Sequence, residues 1–183
     1  MSSRPAKLIV AASENNSDLL WATGFFVPDP CIFIQKGGRK YLVLSDLEYA
    51  RAKKEARVHE VISHDELTKG RKKQRTGHID LIALALQRLG IRHVEVPADF
   101  SLRLADGLRK KRIRVTTGAD PFYPERAIKT ATEVKAIGQA IRATERAERL
   151  IRANVNPALI FETAMLNYLD CASPVSVSVE TQA

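Results

Sequence analysis

The stretch DLLWATGFFVPDPCIFIQKGGRKYLVLSDLEYA, from Asp18 to Ala50, decides the fold class. Its two apolar runs, at 31–35 and 40–44, are short, bounded by turn residues and rich in side chains that favour strands. The K-G-G-R between them holds paired glycines, which supply the positive φ angles of a tight hairpin turn. Ser45 and Asp46 then predict the start of a helix. The stretch therefore predicts an antiparallel hairpin followed at once by a helix.

Strands and helices alternate on both sides of this hairpin. Further strands are predicted at 7–13, 58–63, 93–96 and 113–116, and helices at 16–21, 46–56, 79–89 and 100–110. Such alternation predicts an α/β domain with helices flanking the sheet. Because the hairpin makes one strand pair antiparallel, the sheet is predicted to be mixed. We expect this domain to span residues 1–126.

The remainder of the chain has a different pattern, which predicts a helical extension. Residues 127–154 show one long helical period, with Thr130 or Thr132 as its cap. Pro157 breaks the pattern, and a second helix is predicted at 158–169. We assign residues 127–170 to a helical segment. Residues 171–183, in which valine alternates with serine, are assigned to a tail.

Composition indicates a globular, soluble protein. The chain has 183 residues, of which 45% are hydrophobic and 27% charged, and these values are typical of a domain with its own core. Its two cysteines, Cys31 and Cys171, show neither a disulfide framework nor zinc spacing, which favours a reducing cytoplasm. No signal peptide is recognisable, and no apolar run approaches the roughly 18 residues of a membrane helix. We therefore expect a cytoplasmic protein that does not interact with a membrane.

The formal net charge of +8 is concentrated in two segments, at 51–75 and 103–114. These segments include the runs K-G-R-K-K-Q-R, at 69–75, and R-K-K-R-I-R, at 109–114. Such runs could bind phosphate backbones, but solvated loops and helix ends explain them more simply. No aromatic residues are interleaved for base stacking. Nucleic acid is therefore not the expected partner, although a basic nucleic-acid-binding module remains an alternative.

No self-contained catalytic constellation is recognisable in the residues. His59 and His64, in H-E-V-I-S-H, are one residue too far apart for the zinc motif H-E-x-x-H, and on a strand they would face opposite sides. His78 and His93 are interpreted as structural residues at a helix start and in a strand. Asp65-Glu66 is expected in an exposed loop. The chain also lacks a nucleophile elbow, a phosphate loop and a dinucleotide fingerprint. We expect no metal site and no cofactor in this chain.

Two phrases nevertheless resemble a known family. D-L-L-W-A-T-G-F, from Asp18, resembles the N-x-x-Y-L-T-G-F phrase of the creatinase, prolidase and aminopeptidase P family, where a strand hairpin and a helix opened by Ser-Asp follow. The run at 127–147, which begins A-I-K-T-A-T-E-V-K, is similar to the phrase that opens that family's catalytic pita-bread domain. The two phrases stand about the family's usual distance apart, and the resemblance covers the chain up to about Leu169.

The resemblance implies a metallopeptidase with two domains. In that family the N-terminal α/β domain is non-catalytic. The pita-bread domain holds two divalent metals, manganese, cobalt or zinc, on two Asp, one His and two Glu, and cleaves a bond next to proline. The present sequence departs from this pattern because it has no histidine after His93. Its late acids are also outside the family's ligand contexts; they are Glu133, Glu145, Glu148, Glu162, Asp170 and Glu180. We therefore expect this chain alone to lack peptidase activity.

The resemblance also implies a role for the Thr-Gly-Phe turn. In the family this turn faces the active site, often that of a neighbouring subunit. Trp21, Thr23, Gly24 and Phe25 would then be rim residues that shape the substrate cleft. The alternative is ordinary core packing, with Gly24 required for the bend.

The function expected from the sequence is that of a non-catalytic, assembly or cleft-shaping N-terminal domain of an Xaa-Pro peptidase-like protein, truncated before the metal site. One alternative is a subunit that completes a separately encoded catalytic half. The apolar face of the helix predicted at 127–154 predicts self-association or coverage by such a partner.

Overall fold

A computed structural model describes residues 4–69, 77–153 and 155–172. Most of the first basic run, at 70–75, and the tail from 173 lie outside these described residues. The described chain divides into two compact units, Met1–Arg126 and Ala127–Ala183.

Unit 1 contains six strands and five helices among its described residues. The strands are β1 (Ala6–Ala11), β2 (Cys31–Lys36), β3 (Arg39–Leu44), β4 (Glu60–Ser63), β5 (His93–Val96) and β6 (Arg114–Thr117). The helices are α1 (Ser17–Thr23), α2 (Asp46–Glu55), α3 (His64–Thr68), α4 (His78–Arg88) and α5 (Leu102–Lys110). A 3₁₀ turn at Pro124–Ala127 follows β6.

The strands form one mixed sheet in the order β4-β3-β2-β1-β5-β6, which confirms the predicted fold class. The predicted hairpin is present, with Lys36 opposite Arg39, and Gly37 and Gly38 have φ angles of 55° and 84°. β2 is antiparallel to both of its neighbours, whereas β1, β5 and β6 are mutually parallel and β4 is parallel to β3. The carboxyl ends of all strands except β2 therefore meet at one edge of the sheet.

Both faces of the sheet are covered, because alternate side chains of each central strand enter opposite cores. Ile32 and Ile34 of β2 pack in the core beneath α4 and α5. Cys31 and Phe33, from the same strand, pack in the second core beneath α1 and α2. Near-complete burial on both faces explains why these strands read as continuous apolar runs.

One prediction about local structure is wrong, and one choice between two predicted caps is settled. Asp65-Glu66 lies in the first turn of helix α3, not in a loop, because the Ser63 hydroxyl accepts a hydrogen bond from the Glu66 amide at 3.1 Å and caps the helix. Within the helical period predicted at 127–154, the first long helix of unit 2, α6, begins at Ala131, so Thr130 and not Thr132 is its cap. Thr130 caps α6, and Glu133 bonds back to the Thr130 amide at 2.8 Å, so the reciprocal pair fixes the start.

Unit 2 consists of α6 (Ala131–Arg152) and α7 (Pro157–Ala172) in the described residues. Ile160 of α7 is buried. Several large apolar side chains of α6 are exposed, namely Val134, Ile137, Ile141 and Ile151. Among the described residues of both units, no helix is long and apolar enough to cross a membrane.

The Cys31 thiol provides a test of the second core. Burial raises the pKa of this thiol to about 12, so it stays protonated at pH 8. We expect it to resist iodoacetamide at pH 8 in the folded protein and to react in urea, with peptide mass spectrometry distinguishing it from Cys171. Since the unfolded thiol ionises near its ordinary pKa of 9.0, the free energy of unfolding should also fall as pH rises above about 9. Rapid labelling of Cys31 in the folded protein would contradict its place in this core.

Candidate functional site

The candidate site is the segment that links α1 to β2, since it carries the Thr-Gly-Phe turn. α1 starts because the Asn16 side chain accepts a hydrogen bond from the Leu19 amide at 2.8 Å. It ends at Gly24, whose φ of 59° lies in the left-handed region and whose amide bonds to the Leu20 carbonyl at 2.7 Å. A residue with a Cβ atom would be strained at Gly24, and that Cβ would lie 2.2 Å from Arg57 Nε.

Thr23 is buried, and its hydroxyl makes two hydrogen bonds inside the turn. The hydroxyl donates to the Leu19 carbonyl at 2.8 Å and accepts from the Phe25 amide at 3.2 Å. The Thr23 carbonyl accepts from the Arg57 amide at 2.7 Å. These bonds hold the turn in one geometry and leave the Thr23 hydroxyl no proton to donate to a ligand.

The end of α1 is also held by a lysine. Lys40 Nζ donates to the Ala22 carbonyl at 2.7 Å. Burial, followed by the charge of Arg57, lowers the pKa of Lys40. Two cationic side chains therefore lie beside the carbonyl end of this helix, where a positive charge is favourable.

Phe25 and Phe26 are neighbours in sequence but occupy opposite environments. Phe25 is 1% exposed and packs in the second core, whereas Phe26 is 53% exposed. The Arg51 guanidinium lies 4.3 Å from the Phe25 ring centre and donates to the Phe26 carbonyl at 2.8 Å. Arg51 also pairs with Glu48 and Glu55. Phe26 is the phenylalanine that this turn presents, and it was not among the predicted rim residues.

Trp21 is half-buried against the end of unit 1. Its ring centre lies 5.3 Å from that of Tyr123, with a tilt of 43°. Lys7 Nζ lies 4.0 Å from the Tyr123 ring centre and donates to the Phe122 carbonyl at 2.6 Å. The Tyr123 hydroxyl donates to Gln35 at 2.7 Å, and burial raises the pKa of this phenol.

An ion pair extends the contact between α1 and the segment that ends unit 1. Arg126 Nη1 lies 2.6 Å from Asp18 Oδ1, and both side chains are partly buried. Sequence reasoning placed no functional residue in the segment 122–126. The two aromatic residues in P-F-Y-P, at 121–124, were a signal of a packed segment. Their contact with α1 joins residues about 100 positions apart, however, and no local pattern predicts it.

The four predicted rim residues therefore lie together on one turn but differ in exposure. Thr23 and Phe25 are buried, Trp21 is half-buried, and Gly24 is exposed. The exposed apolar side chains nearest to them in sequence are Leu20 and Phe26. Elsewhere, His59 accepts a hydrogen bond from the Lys40 amide and His93 contacts Thr116, as expected of structural histidines. No group of three or more metal-ligating side chains occurs within residues 4–69, 77–153 and 155–172.

Comparison with solved structures places this arrangement among known folds. An X-Pro aminopeptidase from Thermotoga maritima superimposes with a TM-score of 0.68 over 91% of the chain, at 19% identity. The chain has the fold of the N-terminal part of Xaa-Pro peptidases. A prolidase from Pyrococcus furiosus matches with a TM-score of 0.62 over 88% of the chain, at 15% identity. An Xaa-Pro dipeptidase from Bacillus anthracis matches with a TM-score of 0.65 over 90%, at 16% identity.

The match covers only part of these Xaa-Pro peptidases. The chain spans 47% of the Thermotoga structure, 45% of the Pyrococcus structure and 44% of the Bacillus structure. No protein-family model and no curated protein matches the sequence. The likeness is therefore one of fold.

Proposed function

We propose that these residues form the non-catalytic, cleft-shaping part of an Xaa-Pro peptidase-like protein, which precedes the metal site. The observation that carries the proposal is the extent of the superposition: each peptidase structure matches about nine-tenths of this chain, but the match covers less than half of the peptidase. The absence of any histidine after His93 supports it, because the catalytic domain of the family that the sequence resembles binds its metals with a histidine. In this proposal the two metal ions belong to a catalytic part that is distinct from unit 1.

The α1 turn is the part of unit 1 that we assign to the cleft. Phe26 and Trp21 supply the apolar surface. Thr23, Gly24 and Phe25 act indirectly, because they fix the turn that displays their neighbours. Arg51 donates to the Phe26 carbonyl and so holds the backbone that carries the exposed ring.

Hydrolysis of an Ala-Pro peptide by the purified chain tests the proposal. We expect no turnover with excess manganese, because the proposal assigns the metal ligands that activate water to a separate catalytic part. A parallel sample with EDTA is the control, and circular dichroism confirms that the protein is folded. Turnover that EDTA abolishes would contradict the proposal and direct attention to the late acids of the sequence. Activity that appears only when a second protein co-purifies would favour the alternative of a separately encoded catalytic half.

Self-association through α6 is the second part of the proposal. Ile137 and Ile141, four residues apart on the same helix face, are exposed with Val134 beside them. We expect sedimentation velocity to show a dimer that I141E dissociates, because a buried charge without a partner disfavours the interface. Arg142→Gln, at the next and also exposed position, is the matched control, because it changes the net charge by the same amount as I141E. A monomeric wild-type chain would contradict this part, as would equal dissociation by both variants.

A further inference from the structure

The sheet topology gathers basic residues at the edge where β1, β5 and β6 begin and β2 ends. Arg4 precedes β1, Lys36 ends β2, Arg92 precedes β5, and Arg112 and Arg114 lead into β6. β2, β1, β5 and β6 are consecutive neighbours in the sheet, and the Arg114 amide donates to the Arg92 carbonyl at 2.8 Å. We define the cationic edge as Arg4, Lys36, Arg39, Arg92, Lys110, Arg112 and Arg114. Its members come from four separate parts of the sequence, at 4, 36–39, 92 and 110–114, and the sheet topology brings these parts together.

The charge of the cationic edge is uncompensated. Every member is exposed. The Lys36 side chain donates a hydrogen bond to the Leu89 carbonyl at 2.7 Å. The side chains of the other members have no ion-pair or hydrogen-bond partner in the described parts of the chain. Nearby basic residues that do have acidic partners are left out of the definition. These pairs are Arg109–Asp106, Lys111–Asp80 and Arg88 with Glu60 and Glu66.

Arg112 supplies an independent observation. It is the one described non-glycine residue with a positive φ, at 62°. The equivalent turn between α4 and β5 has Gly90 at this position, with a φ of 63°. In both turns the amide of the next residue donates a hydrogen bond to a carbonyl of the preceding helix: Ile91 to Leu86 at 2.8 Å, and Ile113 to Leu108 at 3.1 Å. Glycine meets the backbone requirement without strain. An arginine that is exposed and held in this strained conformation points to a use for its side chain.

Stabilisation of the α5 dipole does not account for Arg112. Lys110 and Lys111 already place two positive charges at that helix end, and neither requires a left-handed backbone. Arg112 therefore adds a positive charge to the edge at a position where glycine would adopt the backbone conformation with less strain.

We propose that the cationic edge binds the phosphate backbone of double-stranded nucleic acid, without reading its sequence. The five neighbouring strands β3, β2, β1, β5 and β6, at about 4.8 Å apart, span about 19 Å. A duplex carries one charge per about 1.7 Å with both strands counted, so this length holds about eleven phosphates, and about half of them can face the edge. The edge contains no aromatic residue for stacking on bases. Ile91, which precedes Arg92, and Ile113, which lies between Arg112 and Arg114, are buried, so the edge offers no apolar wedge for a membrane. The proposal is independent of the peptidase-like function.

Fluorescence anisotropy of the full chain with a labelled 20-base-pair DNA duplex tests the proposal. We expect affinity to fall about 100-fold or more between 50 and 200 mM NaCl, as expected for four or more phosphate contacts. R112G should weaken binding about 3- to 10-fold at 100 mM NaCl and reduce the salt slope by about 1. The same variant should raise Tm by about 2 °C or more, since glycine relieves the strain.

Arg103→Ala is the matched control for R112G. Arg103 is exposed at the opposite end of α5, and its removal changes the net charge by the same amount. We expect R103A to leave the affinity within about 2-fold of wild type.

Three results would overturn the proposal. The first is no binding of the duplex at 50 mM NaCl. The second is binding that R112G and the double variant R92A/R114A leave unchanged, which would assign it to the separate basic run at 70–75. The third is that a polyglutamate peptide or phosphatidylserine vesicles bind as tightly as the duplex and are weakened equally by these variants. The edge would then recognise negative charge of another kind.

Discussion

Replacing Phe25 with alanine is expected to lower the free energy of unfolding by about 3–5 kcal/mol. The Phe25 ring is 1% exposed in the second core, where alanine would leave a cavity and Arg51 would lose the ring beneath its guanidinium. Urea unfolding followed by the fluorescence of Trp21, the single tryptophan of the chain, measures the change. Circular dichroism at 222 nm provides a second probe and checks that the transition is two-state.

The next residue gives the matched control for this experiment. Phe26→Ala removes the same ring from a position that is 53% exposed, and we expect a change within about 0.5 kcal/mol. If the two variants were equally destabilised, the assignment of Phe25 to the core and of Phe26 to the surface would be wrong. The candidate rim would then have to be rebuilt around Phe25.

Gly118→Ala is expected to destabilise the protein by about 1–3 kcal/mol through overpacking. A Cβ atom at Gly118 would lie 2.7 Å from Cε2 of the buried Phe122 ring and 2.9 Å from Glu95 Cγ. The ring would have to move, and Tyr123, which contacts both Phe122 and Trp21, would move with it. We therefore expect a red shift of Trp21 emission in the folded variant together with a lower urea midpoint.

Gly77→Ala controls for the glycine replacement itself. Its Cβ atom would lie 3.4 Å from Asp80 Oδ2, an ordinary contact, and its φ of −67° suits alanine. We expect a smaller loss than at Gly118 and no change in Trp21 emission. A Gly118→Ala protein with wild-type stability and wild-type fluorescence would show that Phe122 is not confined as the structure describes.

Much of the secondary structure could be predicted because its signals are local. The prediction for β5 matches its observed bounds, and the prediction for β2 differs by one residue. The start of α1 is local in the same sense, because the Asn16 side chain that caps it bonds to an amide only three residues further on. Thr130 was correctly one of the two candidate caps of α6. The helical period continues upstream of Thr130, and the capping box of Thr130 and Glu133 overrides it.

The candidate site could be predicted only in part. The turn, its glycine and its position after a short helix follow from W-A-T-G-F-F, because Gly24 is the residue of this run that adopts a positive φ without strain. Which of the two adjacent phenylalanines is buried could not be predicted. A turn has no fixed period, so exposure there depends on the path of the chain over α2.

By itself, the sequence determined the mixed α/β class, the hairpin and the absence of a recognisable catalytic motif, because period, glycine placement and motif spacing are properties of short stretches. The tertiary structure alone decided which distant side chains meet. It brought Trp21 onto Tyr123 and joined Asp18 to Arg126. Strand order likewise placed Arg92 beside Arg114 at one edge of the sheet, because hydrogen bonds between parallel strands pair residues that no local pattern relates.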